Sequence, residues 1–465
     1  MSARIVVIGG GVSGLAAAHR VTELDPSAEV TVLEASERTG GLLRSERTDD
    51  GYVIERGPDS ILTTKPAALE LARRLGIEDR IVRTNGKNRG AYVCTRGELV
   101  RIPQGFNVVA PSALVSLWAS PVLSWPGKAR AALDLLLPRG EAGPDESLAH
   151  FVRRRFGPEL LERLAQPMAG GIYGAKPHRL SLRATMPRFL DLESSDRSVT
   201  LGLMRRAKAA GADAQASGAR YGLFISFDQG VEVLPEALAA ALGERVRRQT
   251  PAKGLERVDG RWRVHLEDGH LDADGVVLAV PARRVAALVG DLAPEARAHL
   301  AAIPYGSAAT ATFAWDEADI PFPLDASGFV VPAIEGRMIL ASTWASAKWP
   351  GRAPAGKQLI RVFLGGNDRD EIVGYTDQEL IREARRGMDE LMGIRAEPLL
   401  TRVDRYVGNM PRYEVGHLQR MDRVDAALAA YPSLALAGSF YRGVGIPDSI
   451  ASGERAGAKV LAAAA

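Results

Sequence analysis

The sequence predicts a mixed α/β fold organised around a parallel sheet, and three observations carry that reading. The apolar run Ile5-Val6-Val7-Ile8 enters Gly9-Gly10-Gly11-Val12-Ser13-Gly14, and an alanine-rich helix follows. Val30-Thr31-Val32-Leu33 reads as a second strand that ends on Glu34. At the far end of the chain, Leu434-Ala435-Leu436-Ala437 runs into Gly438, and the irregular turn Gly443-Val444-Gly445-Ile446 leads to a second alanine-rich helix, Asp448 to Ala463. Four-residue apolar runs bounded by glycine suit strands buried on both faces. Two strand–glycine–helix junctions at opposite ends imply one discontinuous domain, with the rest of the chain inserted into it.

The opening junction has the order that a dinucleotide diphosphate needs. Gly9 permits the tight turn, Gly11 lets backbone approach the diphosphate, and Gly14 lets the helix pack close to the strand. Val12 and Ser13 then begin a helix whose free N–H groups point at negative charge. Glu34, followed by Ala35, can bond a ribose hydroxyl and would repel a 2′-phosphate. The predicted core of the fold is therefore a discontinuous Rossmann-like unit.

Composition narrows the function. The 465 residues allow about three domain-sized units. A net charge of +3, with basic residues scattered, gives no footprint for nucleic acid. Cys94 is the only cysteine, which excludes an intrachain disulfide and suits a cytoplasmic setting. Seven dispersed histidines show no zinc spacing, so no metal centre is expected. No secretory signal is apparent. Residues 102–127 carry no charge and are long enough to span a bilayer, but Pro103, Pro111, Pro121 and Pro126 break them up. They read as helical core, or as an interfacial or substrate-access surface peripheral to a membrane.

Between the two junctions, residues 66–75 read as a helix stopped at Gly76, with short strands near 91–93 and 98–102. Helical periodicity follows to about Gly171, and the Ala/Gly/Ser-rich residues 205–220 read as a flexible link. Trp262-Arg263-Val264-His265 with Asp268-Gly269 reads as a hairpin arm and turn, and Val276–Val280 as another buried strand. Residues 304–365 alternate in strand fashion, and Thr376 to Leu391 reads as a helix ending at Gly393.

After Glu34 come Glu37-Arg38-Thr39-Gly40-Gly41-Leu42, then Gly57-Pro58-Asp59-Ser60. This pattern resembles the flavin-dependent superfamily of amine oxidases, carotenoid desaturases and porphyrinogen oxidases. Three further motifs resemble the porphyrinogen oxidases in particular: Pro167-Met168-Ala169-Gly170-Gly171-Ile172-Tyr173-Gly174 with Leu180-Ser181, Asn409-Met410-Pro411-Arg412-Tyr413 through His417-Leu418, and Gly443 to Ile450. The resemblance covers nearly the whole chain. It implies non-covalent FAD, with Gly9 to Gly14 on the pyrophosphate, Glu34 and Ala35 on the adenosine ribose, and Arg38, Gly40, Gly41 and Leu42 along the ribityl chain. Gly57, Pro58, Asp59 and Ser60 would lie near the isoalloxazine, Gly438, Val444, Gly445 and Ile446 near its pyrimidine edge, and Ala252 at the adenine.

The implied reaction is oxidation of coproporphyrinogen III or protoporphyrinogen IX to the porphyrin in haem biosynthesis. Six electrons leave in three steps, dioxygen reoxidises the flavin, and no general base is evident. Propionates want cations; Lys65 and Arg89 are the candidates, with Gly171, Ile172 and Tyr173 against the macrocycle. His417 reads as structural. This chain has Arg412 where some relatives carry Gln, and Asp59 where some carry a basic residue. The implied division is FAD domain 1–90, 217–300 and 425–465; substrate domain 91–105, 175–216 and 301–424; and helical domain 106–174. A haem-pathway enzyme is an implied partner. A flavin amine oxidase or desaturase, and a non-catalytic flavin-binding module, remain the competing readings.

Overall fold

Five short strands, far apart in the chain, form one all-parallel sheet in a computed structural model that describes residues 2–140, 143, 145–210, 224–365 and 369–464. Their spatial order is Val246–Arg247, Glu29–Leu33, Arg4–Ile8, Gly275–Leu278, Leu434–Leu436. The opening strand is central, so the order reverses beside it, where ligands of open α/β sheets bind. Ile5 and Val7 pack into one core, Val6 and Ile8 into another. Burial on both faces explains why these strands read as continuous apolar runs.

The opening helix Val12–Leu24 and the closing helix Ile446–Ala464 lie against each other on one face of this sheet. Their backbones nearly touch. A Cβ at Gly453 would sit 2.0 Å from the Ser13 carbonyl oxygen, and one at Gly457 2.4 Å from that of Ala17. The two ends of the chain thus build one unit.

A second, seven-stranded mixed sheet has the order Leu400–Pro411, Tyr305–Asp316, Lys357–Gly365, Ile339–Trp344, Gly328–Val330, Tyr92–Thr95, Glu98–Arg101. All its pairings are antiparallel except that of Gly328–Val330 with Tyr92–Thr95. The helix Asp377–Met392, started by a capping box at Thr376 and stopped at Gly393, covers one face. Leu380, Ala384 and Met388 pack there with Ala311, Phe313, Ile360 and Val362. A third core, from Ala91 to Leu203, is mainly helical.

Packing differs from the sequence boundaries in three places. Leu180, Leu182, Phe189, Leu192, Val199 and Leu203 pack into the helical core, not with the seven-stranded sheet, because their apolar faces meet Phe106, Phe151 and Leu164. Residues 205–210 extend the helix Val199–Ala210 instead of starting a link, and residues 211–220 lie outside the described ones. The helix His417–Ala427 crosses the expected boundary at 424, and its Met421 and Val424 join the core under the parallel sheet.

The uncharged stretch divides its roles. Phe106, Val109, Leu117, Val122 and Leu123 are buried, while Val115, Trp118 and Trp125 face out. Among the described residues, no helix is long and apolar enough to cross a membrane.

Candidate active site and cofactor cradle

The carboxyl edge of the parallel sheet is built from glycine. Gly9 has φ +112°, and a Cβ on Gly14 would lie 1.9 Å from the Gly9 carbonyl oxygen, so both positions exclude side chains. At Gly11 a Cβ would meet only the Cα of Gly41, at 4.0 Å. The space in front of the opening helix is therefore open, and no side chain caps that helix end. Its first N–H groups have no intrahelical acceptor. A hydrogen bond from Gly40 N to Gly10 O, at 2.8 Å, holds the second glycine pair over the first. Glu34 flanks the turn and accepts from Gly10 N at 2.7 Å and from Ser36 N at 2.8 Å. Ala252 is buried. It follows a segment stitched to Glu34 and Ser36 by Thr250 N and Gln249 N, which places it at the same end as Glu34.

Arg38 braces the glycine loop. Its guanidinium donates to the carbonyls of Thr39, Gly41 and Leu43 and pairs with Glu232, so it shapes the glycine loop from behind. Beyond Leu42, the chain returns at Gly57, where a Cβ would lie 1.9 Å from the Leu42 carbonyl oxygen. Asp59 and Ser60 are bound by the buried Lys348, at 3.0 and 2.7 Å. Burial alone would raise the Asp59 carboxyl, but the Lys348 ammonium and the Ser60 hydroxyl hold it far below the ordinary range. Behind this loop, Glu55 accepts from Ser45, Val231 N and the buried Arg352. Burial raises its carboxyl, against the pull of Arg352.

The closing turn is held by an aromatic stack. Tyr413 Oη donates to Ser439 O at 2.7 Å and accepts from Gly443 N at 2.7 Å. His417 stacks on Tyr413 at 3.8 Å, and its Nε2 donates to Tyr441 O at 3.0 Å. Burial lowers the imidazole to about 4, so it is neutral and structural. Gly438 has φ +127°, and its N–H donates to Ser452. Gly445 N–H donates to Asp448 at 3.3 Å, on the first turn of the closing helix. Val444 and Ile446 flank it.

The pattern of the flavin-containing amine oxidoreductases matches residues 12–461. The chain belongs to that family. Coproporphyrinogen III oxidase of Bacillus subtilis is 35% identical over 97% of this chain and 96% of its own length. Bovine protoporphyrinogen oxidase is 33% identical over 99% of each chain. A crystal structure from Exiguobacterium, provisionally described as a protoporphyrinogen oxidase, superposes with TM-score 0.87 at 32% identity over 99% of each chain.

As a member of the flavin-containing amine oxidoreductase family, the protein is an oxidoreductase that uses FAD. The cradle fits the group: an open glycine approach and an uncapped helix end suit a diphosphate, and the Glu34 carboxylate flanks the turn. The sequence candidates for substrate separate. Lys65 is engaged by Asp448, at 2.6 and 2.7 Å, because the closing helix brings that carboxylate beside it. Arg89 is exposed, and its carbonyl accepts from Arg101. Tyr173 Oη donates to Thr185 O, and Gly171 is exposed on the same short helix. Ile172 lies on that helix. Arg412 joins Asp370 to the Gly174 carbonyl, a brace between sheet and helix. Sequence reasoning missed Lys348, Arg352 and Arg361, which lie outside any local pattern, and assigned no role to Asp448 within the closing motif.

Proposed function

We propose that this protein oxidises a porphyrinogen to the porphyrin, with dioxygen as the final acceptor, in haem biosynthesis. The full-length 35% identity with coproporphyrinogen III oxidase carries the reading and favours the tetrapropionate substrate. Bound FAD supplies the electron-accepting chemistry. The chain's own residues bind, orient and exclude water. Gly9, Gly11, Val12, Ser13 and Gly14 would hold the diphosphate, and Gly40, Gly41 and Leu42 the ribityl chain. Gly57 to Ser60 would flank the ring on one side, and Val444 to Ile446 would do so on the other.

A second reading, protoporphyrinogen IX, draws on the bovine relative and on an exposed apolar face. Val115, Trp118, Trp125, Leu133 and Leu136 are exposed there, with Val115 at 84% and Leu136 at 73%. Such a face suits a cytoplasmic protein that touches a membrane only at its periphery. A haem-pathway enzyme that takes the product belongs to the same proposal. Anaerobic mixing with each porphyrinogen decides the substrate, read as flavin bleaching followed by porphyrin fluorescence. A preference of about tenfold, or roughly 1.4 kcal/mol, identifies it. No bleaching with either overturns the oxidase reading.

A further inference from the structure

Arg361 sits in the middle of the strand Lys357–Gly365, opposite Thr312 and Thr343 on the neighbouring strands. Its neighbours Ile360 and Val362 point into the core beneath the helix Asp377–Met392, so Arg361 points to the other face. It is 5% exposed. One terminal nitrogen donates to the Gly57 carbonyl and the other to Tyr406 Oη at 2.6 Å. Tyr406 Oη donates in turn to the Arg56 carbonyl at 3.0 Å. Nε has no partner among the described residues, and none of their carboxylates lies within 4.0 Å of the guanidinium.

The neighbouring buried cations differ. Lys348 has Asp59 at 3.0 Å, and Arg352 has Glu55 at 3.3 Å. Asp59 also feels the charge of Arg361, but that carboxylate is bonded to Lys348, so Arg361 has no carboxylate of its own, and a negative group brought in from outside would offset the cost of burying it. On the proposed reading, with the diphosphate at the opening helix and Gly57 beside the ring, that group would be FAD: Leu42 lies against Gly57, and Lys65 of the same segment reaches the closing helix. Arg361 holds Gly57 there.

We propose that Arg361 is the built-in countercharge for the reduced flavin, and that it positions the Gly57 turn while doing so. The balance is simple. A substrate C–H bond breaks and its hydrogen leaves with both electrons to the flavin, which gains one negative charge; the substrate releases an N–H proton to solvent. Dioxygen later takes the two electrons with two protons and leaves as hydrogen peroxide. A fixed positive charge in a water-poor site favours the charged, reduced form without reorganising.

This inference rests on FAD lying beside Gly57, not on which substrate reduces it. The test is therefore the midpoint potential of the purified holoprotein, titrated without porphyrinogen. Arg361→Met is expected to lower it by at least about 30 mV, a tenfold change in the two-electron equilibrium. Arg361→Lys, which keeps the charge, and Tyr406→Phe, which keeps the guanidinium, are expected to stay within about threefold of that equilibrium. If Arg361→Met loses its flavin, Arg361→Gln takes its place. A neutral variant at the wild-type potential with FAD bound overturns the inference. So does a lysine variant that shifts as far as the methionine one. If neither porphyrinogen bleaches the flavin while the neutral variant still lowers the potential, the substrate reading falls and this one stands.

Discussion

The two largest sheets of this molecule build their parts of the candidate site by opposite means. The parallel sheet presents backbone: Gly9, Gly11, Gly14 and the uncapped end of the opening helix make an anion cradle with hardly a side chain in it. The seven-stranded sheet and the short helix Ala345–Lys348 that follows one of its strands present buried charge: Arg361 holds the Gly57 turn, and Lys348 holds Asp59 and Ser60. If FAD lies as proposed, its diphosphate, of fixed charge, would be met by N–H dipoles that never change, and its ring, whose charge changes with each turnover, would be flanked by cations from another part of the chain.

The sharpest way to break this contrast is at the backbone cradle. Gly11→Glu is expected to abolish FAD retention while leaving a folded protein, because space exists for the side chain and its carboxylate would occupy the helix end in place of phosphate. Flavin absorbance per mole of folded protein measures it. Full flavin content in that variant would remove the diphosphate from this turn.

The next largest effect belongs to the charged region. Arg352 is 1% exposed, and Glu55 beside it is 6% exposed. Arg352→Met leaves that carboxylate buried without its cation and is expected to cost about 3–5 kcal/mol of folding stability. Urea denaturation of the holoprotein measures the loss. The double variant with Glu55→Gln is expected to recover part of it, which separates charge from packing.

The same contrast explains what could be read in advance. Gly9 to Gly14, Glu34 and the closing turn were legible because a backbone cradle demands glycine at fixed spacing, and spacing is a local property. The parallel sheet followed from apolar runs ended by glycine, and the helix at Thr376 from its capping box and Gly393. Lys348, Arg352 and Arg361 carry no such signal. Each reaches a segment roughly three hundred positions earlier in sequence; strand register turns Arg361 to its face, and the helix Ala345–Lys348 with the bend after it carries Lys348 and Arg352. Lys65 shows the converse: its place after Gly57 to Ser60 suggested a free cation, and tertiary packing supplied Asp448.

A smaller effect tests the stack that holds the closing turn. His417 is neutral in the fold, at about 4, against an ordinary 6.5. Above pH 6.5 neither state binds the proton, and stability does not depend on this group. As pH falls from 6.5 toward 4 the unfolded chain takes it up first, so stability falls, by at most about 1.4 kcal/mol per pH unit. His417→Gln is expected to flatten that part of the pH dependence of the urea midpoint. An unchanged slope would mean that the imidazole protonates in place.

The smallest effect falls on Lys65, where the two halves of the site meet. Its ammonium is half exposed and bonded to Asp448, which also accepts from Gly445 N–H. An exposed pair is worth about 0–1 kcal/mol, so Lys65→Ala is expected to change stability by no more than that. Its reach into the site decides its role. If Lys65 serves only to hold Asp448 at the closing turn, Lys65→Ala and Asp448→Asn loosen FAD together and leave the KM for porphyrinogen unchanged. If Lys65 leaves Asp448 to meet a propionate, only the alanine variant raises KM, with kcat preserved, as the loss of binding common to ground and transition states requires. Steady-state kinetics at saturating FAD separates the two outcomes. A raised KM would extend the side-chain strategy of the seven-stranded sheet across the cleft to the parallel one.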